Sequence, residues 1–296
     1  MKMQRRNFLG TAAAGAAGML AAGRMAAAPI PIDPSAVVPL GKELKVTRIG
    51  IGTGMRGWER ESNQTRLGEQ KFRELLHYCY DRNIRLIDMA DLYGTHGHVA
   101  RALQDKPRDS YTLITKIWFR PQGLNEEERP DADVLVERFL KELKTDYIDI
   151  CQLHCVTDAN WPNELRKQMD LLADLKRKGA IRTHGVSCHS IPALKAAAEE
   201  PWVDVVHARV NQFNFRTDGP MDEVVPVLRK IHAAGKGIIG MKLIGEGTFD
   251  EVQRREALKF VMNLGVVDAM IVGFEKPEEV DAFAAGVAQN LKAAAG

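Results

Sequence analysis

The chain is predicted to fold as an α/β protein, a closed (β/α)8 barrel of the TIM type, on three observations. Strand and helix patterns alternate eight times with mostly short connections, which implies a parallel sheet with right-handed crossovers. Eight such units in about 250 residues suit a closed barrel better than an open sheet. Residues capable of proton transfer stand at the ends of successive strands, the rim where barrels place their sites. The competing doubly wound sheet lacks its fingerprint, because no G-x-G-x-x-G follows the first strand.

The elements are read in order, strands from β-branched apolar runs and helices from apolar residues three and four apart. Val46–Ile51 is the first strand, and Glu69–Tyr80 its helix, with Phe72, Leu75, Leu76 and Cys79 on one face. Ile84–Met89 is the second strand, followed by a short helix near His98–Leu103. Tyr111–Ile117 and Asp133–Leu143 form the third unit, Tyr147–Leu153 and Asn163–Lys178 the fourth. Ile181–Ser187 with Ile191–Glu199 and Val203–Arg209 with Met221–Ala234 continue the alternation. Gly237–Met241 with Phe249–Asn263 and Val267–Val272 with Pro277–Lys292 complete it.

Ahead of the barrel, residues 1–28 form a basic start with Arg5-Arg6, then Phe8-Leu9 and an alanine- and glycine-rich stretch ending in small residues. This resembles a twin-arginine export signal cleaved near Ala28, with a membrane anchor as the weaker alternative. It implies passage through the twin-arginine translocation machinery to a bacterial periplasm. Residues 29–41, rich in proline, read as a spacer. Residues 1–28 hold four cations and no acid, so their removal takes the formal charge from +2 to −2. Nothing in that balance points to nucleic acid. At 45% hydrophobic and 27% charged the chain reads as an ordinary globular protein. Downstream of residue 28 no apolar run is long enough to cross a bilayer.

The chemistry gathers in Asp88-Met89-Ala90-Asp91-Leu92-Tyr93-Gly94, with Lys116 and His154 ending the next two strands. A lysine beside a phenol favours the phenolate, and a carboxylate beside the lysine fixes the ammonium. Such a set would let Tyr93 donate a proton near neutral pH. His154-Cys155 and Cys188-His189 form two adjacent pairs on neighbouring strands, open to three readings: free thiols, a disulfide or a zinc site. Trp58, Trp118 and Phe119 follow strand ends and would shape an apolar pocket or pack as loop aromatics.

Taken together, Arg48 to Gly54, Asp88 to Gly94, Lys116, His154, Gly185-Val186-Ser187 and Val210-Asn211-Gln212 stand in the order of an aldo-keto reductase, which the chain resembles over residues 42–292. The resemblance implies carbonyl reduction or its reverse with NADPH or NADH, Tyr93 as the acid and base, Lys116 held by Asp88, and His154 orienting the carbonyl. It places Gly52 and Thr53 beneath the cofactor, Asp88 beside it, and Ser187 and Gln212 on the carboxamide. Met241 would stack on the ring, with Lys242, Leu243, Gly245 and Gly247 meeting the pyrophosphate. Gly273 and Glu279 would lie at the adenosine end. Three departures stand out: Cys188 where asparagine is common, Met241 where the ring stacker is commonly aromatic, and Glu279 where a basic residue would meet a 2′-phosphate. The last leaves NADPH and NADH both open. Two other functions remain in play: a nicotinamide-binding sensor barrel with little turnover, and a metal-dependent enzyme using His154, Cys155, Cys188 and His189.

Overall fold

The computed structural model describes residues 37–295. The export signal expected at 1–28 and the first part of the spacer lie outside them. Eight parallel strands close a barrel: β3 (Ile49–Gly52), β4 (Leu86–Asp88), β5 (Thr112–Ile117), β6 (Ile148–Val156), β7 (Ile181–Cys188), β8 (Val205–Arg209), β9 (Gly237–Met241) and β10 (Ala269–Val272). Pairing of β10 with both β9 and β3 shuts the ring. Helices α1 (Asn63–Arg66), α2 (Glu69–Asp81), α3 (His96–Ala102), α4 (Ala132–Leu143), α5 (Trp161–Glu164) and α6 (Arg166–Arg177) belong to the first half. Then come α7 (Ile191–Glu199), α8 (Met221–Ala233), α9 (Glu251–Asn263) and α10 (Pro277–Ala295). The predicted (β/α)8 barrel is therefore the fold.

Each strand alternates between two cores, because successive side chains leave opposite faces. Ile49, Ile51, Ile87, Leu113, Cys151 and Leu153 point outward and pack under the helices. Leu86, Ile114, Ile150, Val205 and Ile239 point inward and fill the lumen. The helices answer with apolar stripes, as in Leu135, Val136, Phe139 and Leu143 of α4. Among the described residues no helix is long and apolar enough to cross a membrane.

Two stretches differ from expectation. The spacer reading of 29–41 fails at its end: β1 (Val37–Leu40) pairs antiparallel with β2 (Leu44–Thr47). Val38, Leu40 and Val46 of this hairpin join the lumen core, so the hairpin stoppers the barrel floor. Its turn needs Gly41, whose φ of +60° is left-handed. The first predicted strand, Val46–Ile51, is consequently two, broken at Arg48 between hairpin and barrel.

The second irregularity is a bulge in β6. Leu153 pairs with Val186 and Val156 with Cys188, so three steps along β6 answer two along β7. Outward residues run Cys151, Leu153 and then Val156, which leaves Cys155 as the extra residue, at φ +62°. A bulge of this kind re-aims a side chain, and here it turns Cys155 toward the barrel mouth.

Candidate active site

Neighbouring strands β4, β5 and β6 bring Asp88, Lys116 and His154 side by side at the rim. Lys116 is only 1% exposed, so its ammonium requires partners. It donates to the Asp88 carboxylate and, at 2.9 Å, to the Met89 carbonyl. His207, facing them from β8, sets Nε2 3.3 Å from the same Asp88 Oδ1. Burial disfavours the Asp88 anion, yet Lys116 and His207 outweigh it and hold the carboxyl below its ordinary 3.8. Burial likewise lowers the Lys116 pKa from 10.5, and the Asp88 charge offsets part of that. His207 was not foreseen; its only sequence signal is a lone histidine inside the apolar strand β8.

Tyr93 ends a short turn of 3-10 helix, Asp91–Tyr93, straight after β4. The turn is pinned by the buried Asp91, which accepts from Arg138 Nη2 at 2.7 Å and Arg60 Nε at 3.3 Å. The Tyr93 hydroxyl and His154 Nε2 share a 3.2 Å hydrogen bond, their rings edge-on at 5.4 Å. Trp118 stacks edge-on against His154 at 5.1 Å and against Trp58 at 5.7 Å. These groups line a cavity of about 330 Å³ at the rim, large enough for a small organic molecule.

The electrostatics of the phenol reverse the expectation. Lys116 gives its protons to Asp88 and Met89, and its nitrogen lies 5.4 Å from the Tyr93 ring centre. Tyr93 is half-buried and lines the cavity. Burial first, then the charge of Asp88, pushes the Tyr93 pKa well above 10 instead of lowering it. His154 shifts the other way: burial and the Lys116 charge hold it well below 6.5, so its imidazole is neutral. The site therefore pairs a protonated phenol with an uncharged imidazole.

Gly54 is a positioning residue that the sequence reading named only as part of a strand-end motif. A Cβ there would lie 2.2 Å from Cε2 of the Tyr93 ring. The close approach requires glycine. Gly54→Ala is expected to displace the ring by about 1 Å and lower kcat/KM roughly 100-fold, with little change in thermal stability. Steady-state kinetics beside a melting curve checks this, and unchanged kcat/KM would show that the ring position is not set here.

Residues 48–260 match the profile of the Aldo/keto reductase family. The chain belongs to the aldo/keto reductase family. It is 26% identical over 221 residues to "Probable aldo-keto reductase 1" of Glycine max, covering 72% of this chain and 60% of that protein. It is 32% identical over 161 residues to aldo-keto reductase YhdN of Bacillus subtilis, covering 50% and 45%. The chain spans about half the length of these curated relatives. A Pseudomonas aeruginosa structure described as an aldo-keto reductase superposes with a TM-score of 0.70 at 27% identity, covering 86% of this chain and 95% of that one.

Within this family member, part of the expected cofactor set faces the cavity. Gly52, Asp88, Met241, Lys242, Leu243, Gly247 and Gly273 all line it. The others make contacts within the protein. Thr53 is buried and fastens the Asp88 carbonyl by its backbone N–H and its hydroxyl, both at 2.9 Å, so it buttresses β4. Ser187 accepts the Cys155 N–H at 2.9 Å, a consequence of the bulge. Gln212 turns to Glu256 at 3.4 Å. Gly245 is buried against the Phe249 ring, which a Cβ would meet at 2.4 Å. Glu279 folds back to accept the Glu275 N–H at 2.9 Å. Asn211, unremarked beyond its motif, ties Phe215 and Lys242 carbonyls at 2.8 and 3.2 Å.

The four thiols are free. Cys188 is buried in the outer core beneath the helices, and Cys155 contacts His189. Among the described residues no group of three or more His, Cys, Asp and Glu side chains is arranged to hold a metal ion. Of the aromatics, Trp58 and Trp118 line the cavity, whereas Phe119 packs against the outer core.

Proposed function

We propose that this chain is an oxidoreductase reducing aldehydes or ketones to alcohols with a nicotinamide cofactor, NADPH or NADH, and that Tyr93 is its proton donor. One observation carries the reading: the 3.2 Å Tyr93–His154 hydrogen bond on the cavity wall, beside the buried Asp88–Lys116 pair. The residues present fit such a cofactor. Gly247 and Gly273 leave bare backbone at the cavity, and Lys242 and Arg216 offer cations for a pyrophosphate. Both now pair with Glu246, so those contacts would open on binding.

The bound reduced cofactor supplies hydride to the carbonyl carbon. Tyr93 gives its phenolic proton to the carbonyl oxygen. Neutral His154 hydrogen-bonds at the same spot without adding charge, and the Lys116 ammonium stabilises the developing negative oxygen from beneath. Burial keeps the phenol protonated at neutral pH, so the proton that Tyr93 would donate is in place. Nothing in the geometry favours a sensor without turnover, since all four proton-transfer groups are kept and gathered. At the adenosine end Lys276 lies 3.9 Å from Glu279, which offsets its charge.

Titration with NADPH and with NADH tests the cofactor. Trp58 and Trp118 border the cavity, so their fluorescence is expected to fall on binding. Saturable quenching by either supports the reading; quenching by neither overturns it. We also propose export by the twin-arginine route to the periplasm, supported by Arg5-Arg6 and the small-residue stretch before Pro29. N-terminal sequencing of the protein recovered from a periplasmic extract is expected to begin near Pro29.

A further inference from the structure

The bulge in β6 creates a second reactive pair that the reduction does not use. Cys155 Sγ lies 2.9 Å from His189 Nδ1, and both line the same cavity as Tyr93 and His154. Arg120 reaches the sulfur at 3.8 Å and the Cys155 carbonyl at 3.2 Å. Tyr93 and Cys155 pack on one small cluster of Leu92, Trp118 and Leu124. A thiol within hydrogen-bond reach of an imidazole is the arrangement that activates a nucleophile.

We propose that Cys155 and His189 form a covalent trapping site for α,β-unsaturated carbonyl compounds that enter the cavity. The inference shares one element with the proposed function, a carbonyl oxygen held by Tyr93 and His154. The sulfur stands on the wall of that same cavity, where the β-carbon of such a compound would have to come. In the step, the thiol proton passes to His189 Nδ1 as the sulfur lone pair forms the C–S bond. The alkene π pair moves onto the carbonyl as an enolate, and His189 returns the proton to the α-carbon. One S–H and one C=C are consumed; one C–S and one C–H are made.

The resting pair is neutral, because burial raises the Cys155 pKa and lowers that of His189 to about 3. Proton passage along the hydrogen bond creates opposite charges side by side, not an isolated ion, and Arg120 favours the thiolate. A neutral resting thiol also makes the site selective: it reacts with an electrophile that the cavity holds in place. The other three thiols act as internal controls. Cys79, Cys151 and Cys188 are at most 1% exposed, and burial pushes the first two up to about 12.

The test uses the purified full chain without cofactor, incubated with methyl vinyl ketone and read by intact mass and peptide mapping. One adduct, on Cys155, is expected. Cys155→Ser should take up none, and His189→Asn should label roughly 100-fold more slowly. No adduct on Cys155, equal labelling of all four cysteines, or His189→Asn labelling at the original rate would each overturn the proposal. The mass readout needs no hydride transfer. Adduct formation in a protein that binds neither NADPH nor NADH would keep this site while sinking the reductase reading, and the reverse pattern would do the opposite.

Discussion

Tyr93→Phe is expected to cut carbonyl reduction by about 10²- to 10⁴-fold, the contribution of one positioned proton donor, while cofactor affinity stays unchanged. The substitution removes a single oxygen. The ring keeps its seat against Gly54 and Gly57, whose backbones leave no room for a side chain. His154 Nε2 loses its partner, but water in the cavity can take that place, so the fold is expected to persist. Kinetics and cofactor titration on the same preparation separate the two effects. A variant that turns over normally excludes Tyr93 as the donor. The wild-type pH profile adds an independent check. With Tyr93 raised and His154 lowered, reduction is expected to run flat from about pH 6 to 10, without breaks near the ordinary values of 6.5 and 10. An inflection between pH 7 and 9 would mean that Lys116 does depress the phenol.

Lys116→Met carries the largest expected stability cost. It leaves the Asp88 carboxylate buried without its cation, which costs roughly 3–5 kcal/mol, or about 6–20 °C in Tm. The pH dependence follows from the direction of the shift. In the wild type the Asp88 pKa is depressed below 3.8, so the pair stabilises the fold above that value and is lost as pH falls through the lower, folded pKa. In the variant the buried carboxyl is expected to titrate above 3.8, because desolvation is then opposed only by His207. The stability gap between the two proteins should be widest at pH 7 and narrow toward pH 4. Chaotrope melts at both pH values decide the matter, and a gap that does not change with pH would show that Asp88 is not the charge left stranded.

Periodic patterning made the barrel readable: β-branched runs and spaced apolar positions marked all eight units, because both repeat over many residues. The hairpin escaped because Val37–Leu40 is four residues long and contains Pro39, so it shows no repeat and composition resembles a linker. Asp88, Tyr93, Lys116 and His154 were found because each stands near or just past the end of a strand, and strand ends fix position along the axis. The direction of the Tyr93 shift was not, since it depends on how the Lys116 protons are shared among Asp88, Met89 and the phenol, a matter of ångströms. The contact that Ser187 makes within the protein was hidden for a related reason. One extra residue in β6 swings the Cys155 N–H onto its hydroxyl, and an insertion that shifts register by one has no signature in composition.

The hairpin at the barrel floor has a kinetic consequence. With Val38, Leu40 and Val46 wedged into the lower lumen, traffic along the axis is blocked, and whatever reaches Tyr93 arrives and departs through the same doorway. Product must vacate before the next molecule can take its place, so a slow-leaving alcohol would throttle turnover however fast its formation.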